Sequence, residues 1–150
     1  MDLELIFSIA NSLALLSWIL LFVLYQKHWV YTFLFSVVFV FMACLYLFFI
    51  LQGVGGDSQG GFDTLANVKL LFVKDEAVLA GWIHYLVFDL FTGMWICNDG
   101  DKRKINRWIL LPCLVFTFLL GPTGLLLYIL VRVIHLRKYP QHPYDPKLVY

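Results

Sequence analysis

The run Ala77-Val78-Leu79-Ala80-Gly81-Trp82-Ile83-His84-Tyr85-Leu86-Val87-Phe88-Asp89-Leu90-Phe91-Thr92-Gly93-Met94-Trp95-Ile96-Cys97 is apolar throughout except for a single charge, Asp89. About 20 predominantly apolar residues cross a hydrocarbon core as a helix, so the run reads as a membrane span with a carboxyl near its centre. Outward from it, residues 5–26, 28–56 and 108–131 contain no Asp, Glu, Lys or Arg. The spacing therefore predicts four spans, over about 5–26, 29–51, 77–97 and 108–131. The linkers after the first and third spans are short, which makes the joined helices antiparallel neighbours. The expected architecture is all-α, an integral membrane domain over residues 1–150 built as an antiparallel bundle of four transmembrane helices.

Composition agrees. Of the 150 residues, 61% are apolar and 14% charged, against roughly 45–50% apolar in soluble domains, which excludes a water-soluble enzyme. The net charge of +1 points to no polyanion, so nucleic acid is not an expected partner. Cys44, Cys97 and Cys113 lack metal-site or redox-pair spacing. The opening Met1-Asp2-Leu3-Glu4 has no basic segment and no Arg- and Ser-rich leader follows it. The first helix is thus read as retained, with a bacterial inner membrane as the plainer location.

The connection 52–76 opens with Gly53, Gly55, Gly56, Gly60 and Gly61 and turns apolar again over 65–73, which predicts a short interfacial helix or lid. Pro140, Pro143 and Pro146 predict an extended tail over 133–150. In a four-span topology the long loop and tail share one side, which carries six Lys and Arg against five on the other. The positive-inside rule then gives no orientation.

Within lipid, small and polar residues at helical spacing mark the faces that pack together. Such stripes run through Ser8, Asn11 and Trp18 in the first span, Thr32, Ser36 and Tyr46 in the second, Trp82, Tyr85 and Asp89 in the third, and Thr117, Gly121 and Tyr128 in the fourth. Counted from the span centres, Ser36, Thr117 and Trp18 share the layer of Asp89. A carboxyl at that depth costs several kcal/mol on most scales and marks function, and in its neutral form it is a proton donor. Arg107 and Arg132 are too far along their helices to pair with it, roughly 18 Å at the helical rise. His84, the second titratable group in the span, lies about 140° around the helix from Asp89. It is either a base reached across a cavity or a histidine held by a backbone carbonyl. In Gly121-Pro122-Thr123-Gly124 the proline removes a helix hydrogen bond, frees the Phe118 carbonyl and bends the helix. Paired intramembrane histidines for haem, metal-ligand spacing and a phosphate-binding glycine loop are all lacking, so no cofactor or metal is expected.

The segment from Gly81 to Gly93, followed by Leu111-Pro112-Cys113, Thr117-Phe118, Gly121-Pro122-Thr123-Gly124-Leu125-Leu126-Leu127-Tyr128 and Arg132, resembles the abscisic-acid-deficient-four membrane proteins. Plant members of that family are implicated in making neoxanthin from violaxanthin. The resemblance implies an isomerase of carotenoids or related isoprenoids that opens an epoxide with loss of a neighbouring proton and no redox change. Such chemistry needs an acid and a base; the resemblance casts Asp89 as acid and His84 as base, with Trp18, Trp82, Tyr85 and Tyr128 lining a slot for a polyene. Two readings stand beside this enzyme: an apolar-ligand or pigment-binding helper without catalysis, and a small proton-coupled transporter or assembly subunit, which would be an obligate homo-oligomer.

Overall fold

The computed structural model describes residues 2–54, 60–139 and 142–143. The described residues are all-α. Helix α1 spans Leu3–Leu24, α2 His28–Gly53, α3 Leu65–Leu71, α4 Asp75–Lys102, α5 Arg107–Leu120 and α6 Pro122–Leu136. Three of them, α1, α2 and α4, are long and apolar enough to cross a membrane. Large apolar side chains such as Leu16, Phe35, Leu51 and Leu119 cover the outside, the arrangement that lipid favours and water does not. The chain is a multi-pass integral membrane protein.

Local chemistry sets the helix ends. Asp2 caps α1 by accepting from the Leu5 amide at 3.2 Å, and Asn106 caps α5 by accepting from the Trp108 amide at 2.9 Å. Asp75 and Glu76 in the first turn of α4 and Lys102 in its last complement the helix dipole. Thr64 caps α3 through the Asn67 amide at 3.1 Å.

In α2 the segment Leu34–Phe39 is π-helical, a wider turn with i→i+5 hydrogen bonds. It keeps Val30, Leu34, Val38 and Met42, each four residues apart, on the buried side. Thr32 and Ser36, two residues from this buried row, lie on the opposite side of the helix and are exposed, so Ser36 does not share the interior layer predicted for it.

The expected fourth span, 108–131, is instead a hairpin. Helix α5 ends at Leu120 and α6 begins at Pro122, with Gly121 between them at φ +42 and ψ −94, a conformation that glycine adopts readily and other residues do not. At one end of the hairpin Leu110 packs where Gly100 of α4 leaves room. Gly121 lies against Asp89, the midpoint of α4, and Arg132 of α6 returns to Asp99. Both feet of the hairpin thus stand at the Lys102 end of α4 and its tip reaches halfway along that helix. Gly124 is where α6 crosses α5: a β-carbon there would collide with Thr117 and the Cys113 carbonyl. Proline alone would have bent a single span; the glycine before it reverses the chain. Gly121 is buried, as irregular backbone at membrane depth must be.

The hairpin moves the C-terminal segment to the other side of the molecule, and the near-even division of Lys and Arg expected from four crossings no longer holds. Residues 133–136, expected to be extended, continue α6, which stops only where Arg137 turns to φ +50. Pro140 and Pro146, like Gly55 and Gly56, lie outside the described residues.

Candidate functional site

Asp89 sits at the centre of α4 and is 8% exposed. A β-carbon at position 121 would lie 2.5 Å from its Oδ1 and 3.1 Å from its Oδ2, so the carboxyl fills the space left by the missing side chain at the hairpin tip. Oδ2 is buried and has no hydrogen-bond partner. A buried polar atom left unpaired is costly and calls for an explanation.

Its surroundings come from three helices. One turn before Asp89, Tyr85 donates to the Phe118 carbonyl at 3.1 Å. This is the acceptor freed by Pro122, which cannot supply the amide that would otherwise bond Phe118. The Tyr85 hydroxyl also lies near the Asp89 carboxyl. One turn after Asp89, Gly93 receives the Trp18 ring from α1, which meets Phe118 edge-on at 5.7 Å between centroids. The Trp18 Nε1 is buried and unpartnered as well. Outside this cluster an apolar groove of about 200 Å³ runs between α1 and α5, lined by Trp18, Ile19, Phe22, Leu114, Val115 and Phe118 among others.

Of the residues singled out in the sequence, Asp89, Tyr85 and Trp18 thus lie together, with Thr117 close by. Thr117 is fully buried, donates from Oγ1 to the Cys113 carbonyl at 2.8 Å and accepts the Gly121 amide on its own carbonyl at 2.9 Å. The others lie elsewhere. His84 is exposed on another face of α4, its ring 4.4 Å from Phe88 and 5.7 Å from Tyr46 of α2. Trp82 donates to Asn11 of α1 at 2.9 Å. Tyr128 is fully buried but serves a second carboxylate.

That carboxylate, Asp99, is the feature sequence reasoning missed. Its Oδ2 accepts from Tyr128 Oη at 2.6 Å, Arg103 Nε at 2.8 Å and Arg132 Nε at 2.8 Å, and its Oδ1 from Arg132 Nη2 at 3.4 Å. Arg132 also donates to the His142 carbonyl at 2.9 Å and lies over Trp95. The signal was present in two pairs at i,i+4, Asp99 with Arg103 and Tyr128 with Arg132. Asp99 reads from sequence as a solvated charge past the end of a span, whereas α4 runs on to Lys102 and buries it. Among the described residues no group of three or more His, Cys, Asp or Glu is placed to hold a metal ion.

Comparison with known proteins follows the same lines. No solved structure matches the chain. A curated relative, Protein ABA DEFICIENT 4, chloroplastic, from Arabidopsis thaliana, is 30% identical over 71 residues, 47% of this chain and 30% of the relative. The chain therefore aligns with less than a third of that protein's length. The family described as ABA DEFICIENT 4-like matches residues 5–128, which takes in α1 to α5, the hairpin tip and α6 as far as Tyr128. The chain belongs to this ABA DEFICIENT 4-like family.

Proposed function

We propose that the protein is a membrane enzyme that isomerises a carotenoid or related isoprenoid by opening an epoxide, with Asp89 as the group that moves the proton. The observation that carries this reading is the Asp89 carboxyl itself, buried at the middle of a membrane helix with one oxygen unpartnered. A carboxyl needed only for packing would be matched to partners.

The reaction balances on one residue. The neutral carboxyl gives its proton to the epoxide oxygen as the C–O bond breaks. The carboxylate then takes a proton from the neighbouring carbon, whose C–H electron pair becomes the new C=C bond. Substrate and product are isomers, and Asp89 ends protonated. Tyr85 suits this cycle, because its hydrogen is directed to the Phe118 carbonyl and its oxygen is left to accept from a protonated Asp89. Hydrocarbon surroundings keep water from the intermediate cation. In this scheme the α1–α5 groove receives the polyene, with Trp18 and Phe118 forming the wall towards Asp89. His84 as a separate base requires a substrate wrapped across α4 to the Tyr46 side, a route that recovery of the proton by Asp89 makes unnecessary.

One observation favours the second reading, a pigment-binding helper: the groove is apolar and Asp89 is not among its lining residues. Expression in a host that makes violaxanthin separates the two. The enzyme reading expects a new pigment of unchanged mass with the wild type and none with Asp89→Asn at equal membrane level. Pigment that copurifies unaltered with both proteins supports the helper, and full conversion by Asp89→Asn overturns the assignment of Asp89.

A further inference from the structure

The hairpin gathers positive charge at one end of the molecule. At that end lie Lys27 after α1, Lys102, Arg103, Lys104 and Arg107 around the α4–α5 turn, and Arg132, Arg137 and Lys138 at the close of α6. These are eight of the ten Lys and Arg among the described residues. The two remaining, Lys69 and Lys74, belong to the loop at the opposite end. There Asp2, the cap of α1, and Glu4 of its first turn face Asp75 of α4 across an open cleft of about 540 Å³, and Asp63 and Glu76 lie on the same loop and helix start.

Contacts fix the basic end as one surface. Arg107 donates to the Phe22 carbonyl at 3.3 Å and stacks on the Phe22 ring. Gln26 donates to Asp101 at 3.3 Å, and His135 meets the Arg103 carbonyl at 3.1 Å. Asp99 engages Arg103 and Arg132. Asp101 is then the only other carboxylate at this end among the described residues, beside exposed Lys102, Lys104 and Arg137.

We propose that this rim is the surface that binds the anionic phosphodiester headgroups of the leaflet facing the compartment from which the chain is inserted, and that it fixes the protein's orientation there. Lys and Arg in short loops close to span ends decide topology, while Asp and Glu contribute little. An anionic leaflet attracts such a rim, and the long aliphatic stems let the charges reach the headgroups while the helix ends stay in hydrocarbon. The inference does not depend on any chemistry at Asp89.

The test uses the full chain in a bacterial host. Asp63→Cys and Lys104→Cys are each treated with a membrane-impermeant maleimide on intact cells, with the wild type, whose cysteines lie within helices, as the blank. Asp63→Cys labels on intact cells, and Lys104→Cys labels only after permeabilisation. Labelling of Lys104→Cys on intact cells, alone or equally with Asp63→Cys, overturns the orientation. For the lipid, the phosphatidylglycerol to phosphatidylethanolamine ratio copurifying with the wild type exceeds that of the bulk membrane. It falls at least twofold in the combined Lys102→Gln, Lys104→Gln, Arg137→Gln variant. A ratio equal to bulk, or unchanged in the variant, overturns headgroup binding.

Discussion

Asp89 and Asp99 lie ten residues apart on α4, about 15 Å along the helix, and both are buried. Asp99 accepts hydrogen bonds from Tyr128, Arg103 and Arg132; Asp89 has an oxygen with no partner at all. Burial alone does not make two carboxylates alike, because the desolvation cost is met in one case and left standing in the other. Where partners converge from α4 and α6 the carboxylate ties the hairpin to the bundle. A carboxyl wedged against Gly121 with an orphan oxygen has no such network, and it is there that the proposed chemistry is assigned.

Breaking Asp99 has the largest expected effect. Asp99→Ala leaves Arg103 and Arg132 buried around an empty site, and loss of one partner from a buried ion pair costs about 3–5 kcal/mol. In detergent this variant unfolds well below the wild-type temperature. Arg132→Met, which removes a cation and leaves Asp99 still bonded to Arg103 and Tyr128, is damaged less. Equal stability of Asp99→Ala and wild type would erase the contrast between the two carboxylates.

Gly121→Ala comes next. Its φ of +42 disfavours any side chain, and the added β-carbon meets the Asp89 carboxyl 2.5 Å away. Strain of this kind costs roughly 1–3 kcal/mol. The variant should therefore be moderately destabilised and, under the proposed mechanism, inactive, measured as thermal midpoint and pigment conversion on one preparation.

A third carboxylate, outside the membrane, sets the low end of the scale. Asp63 Oδ1 accepts from the Asn67 side-chain Nδ2 at 2.9 Å, which holds its carboxyl below the usual range. A group lowered on folding contributes stability above its unfolded pKa and loses it as pH falls through the folded one. Protection factors over residues 64–71, with the intrinsic pH dependence of amide exchange divided out, should fall slightly as pH drops from about 5 to about 2, with no change in global unfolding.

Much of the fold was legible because charges do not enter hydrocarbon unpaired: three charge-sparse stretches became α1, α2 and α4. The hairpin was not legible, since a kinked span and two half-length helices give the same apolar pattern. Only the backbone angle at Gly121 distinguishes them, and Gly-Pro reads equally as a bend. The freed Phe118 carbonyl was legible from Pro122, although Tyr85 rather than His84 takes it. Ser36 was misplaced because the stripe was drawn on polarity: Thr32, one turn before it, is exposed too, and the buried side of α2 is the apolar one through Leu34 and Val38. Asp89 stood out as a lone charge in an apolar run. Asp99 did not, because charge at the edge of a span looks solvated until the helix is seen to continue past it.

The most direct measurement is isomer yield per unit of folded protein for Asp89→Asn in a violaxanthin-producing host. Asn keeps the shape of Asp but has no acidic proton to give, and the substitution disturbs no carboxylate bonding of the kind that surrounds Asp99. The account predicts a thermal midpoint close to wild type, within about 1 kcal/mol of stability, and loss of the isomer to background. Wild-type yield from Asp89→Asn would contradict it and leave Asp89, like Asp99, a structural residue of the hairpin.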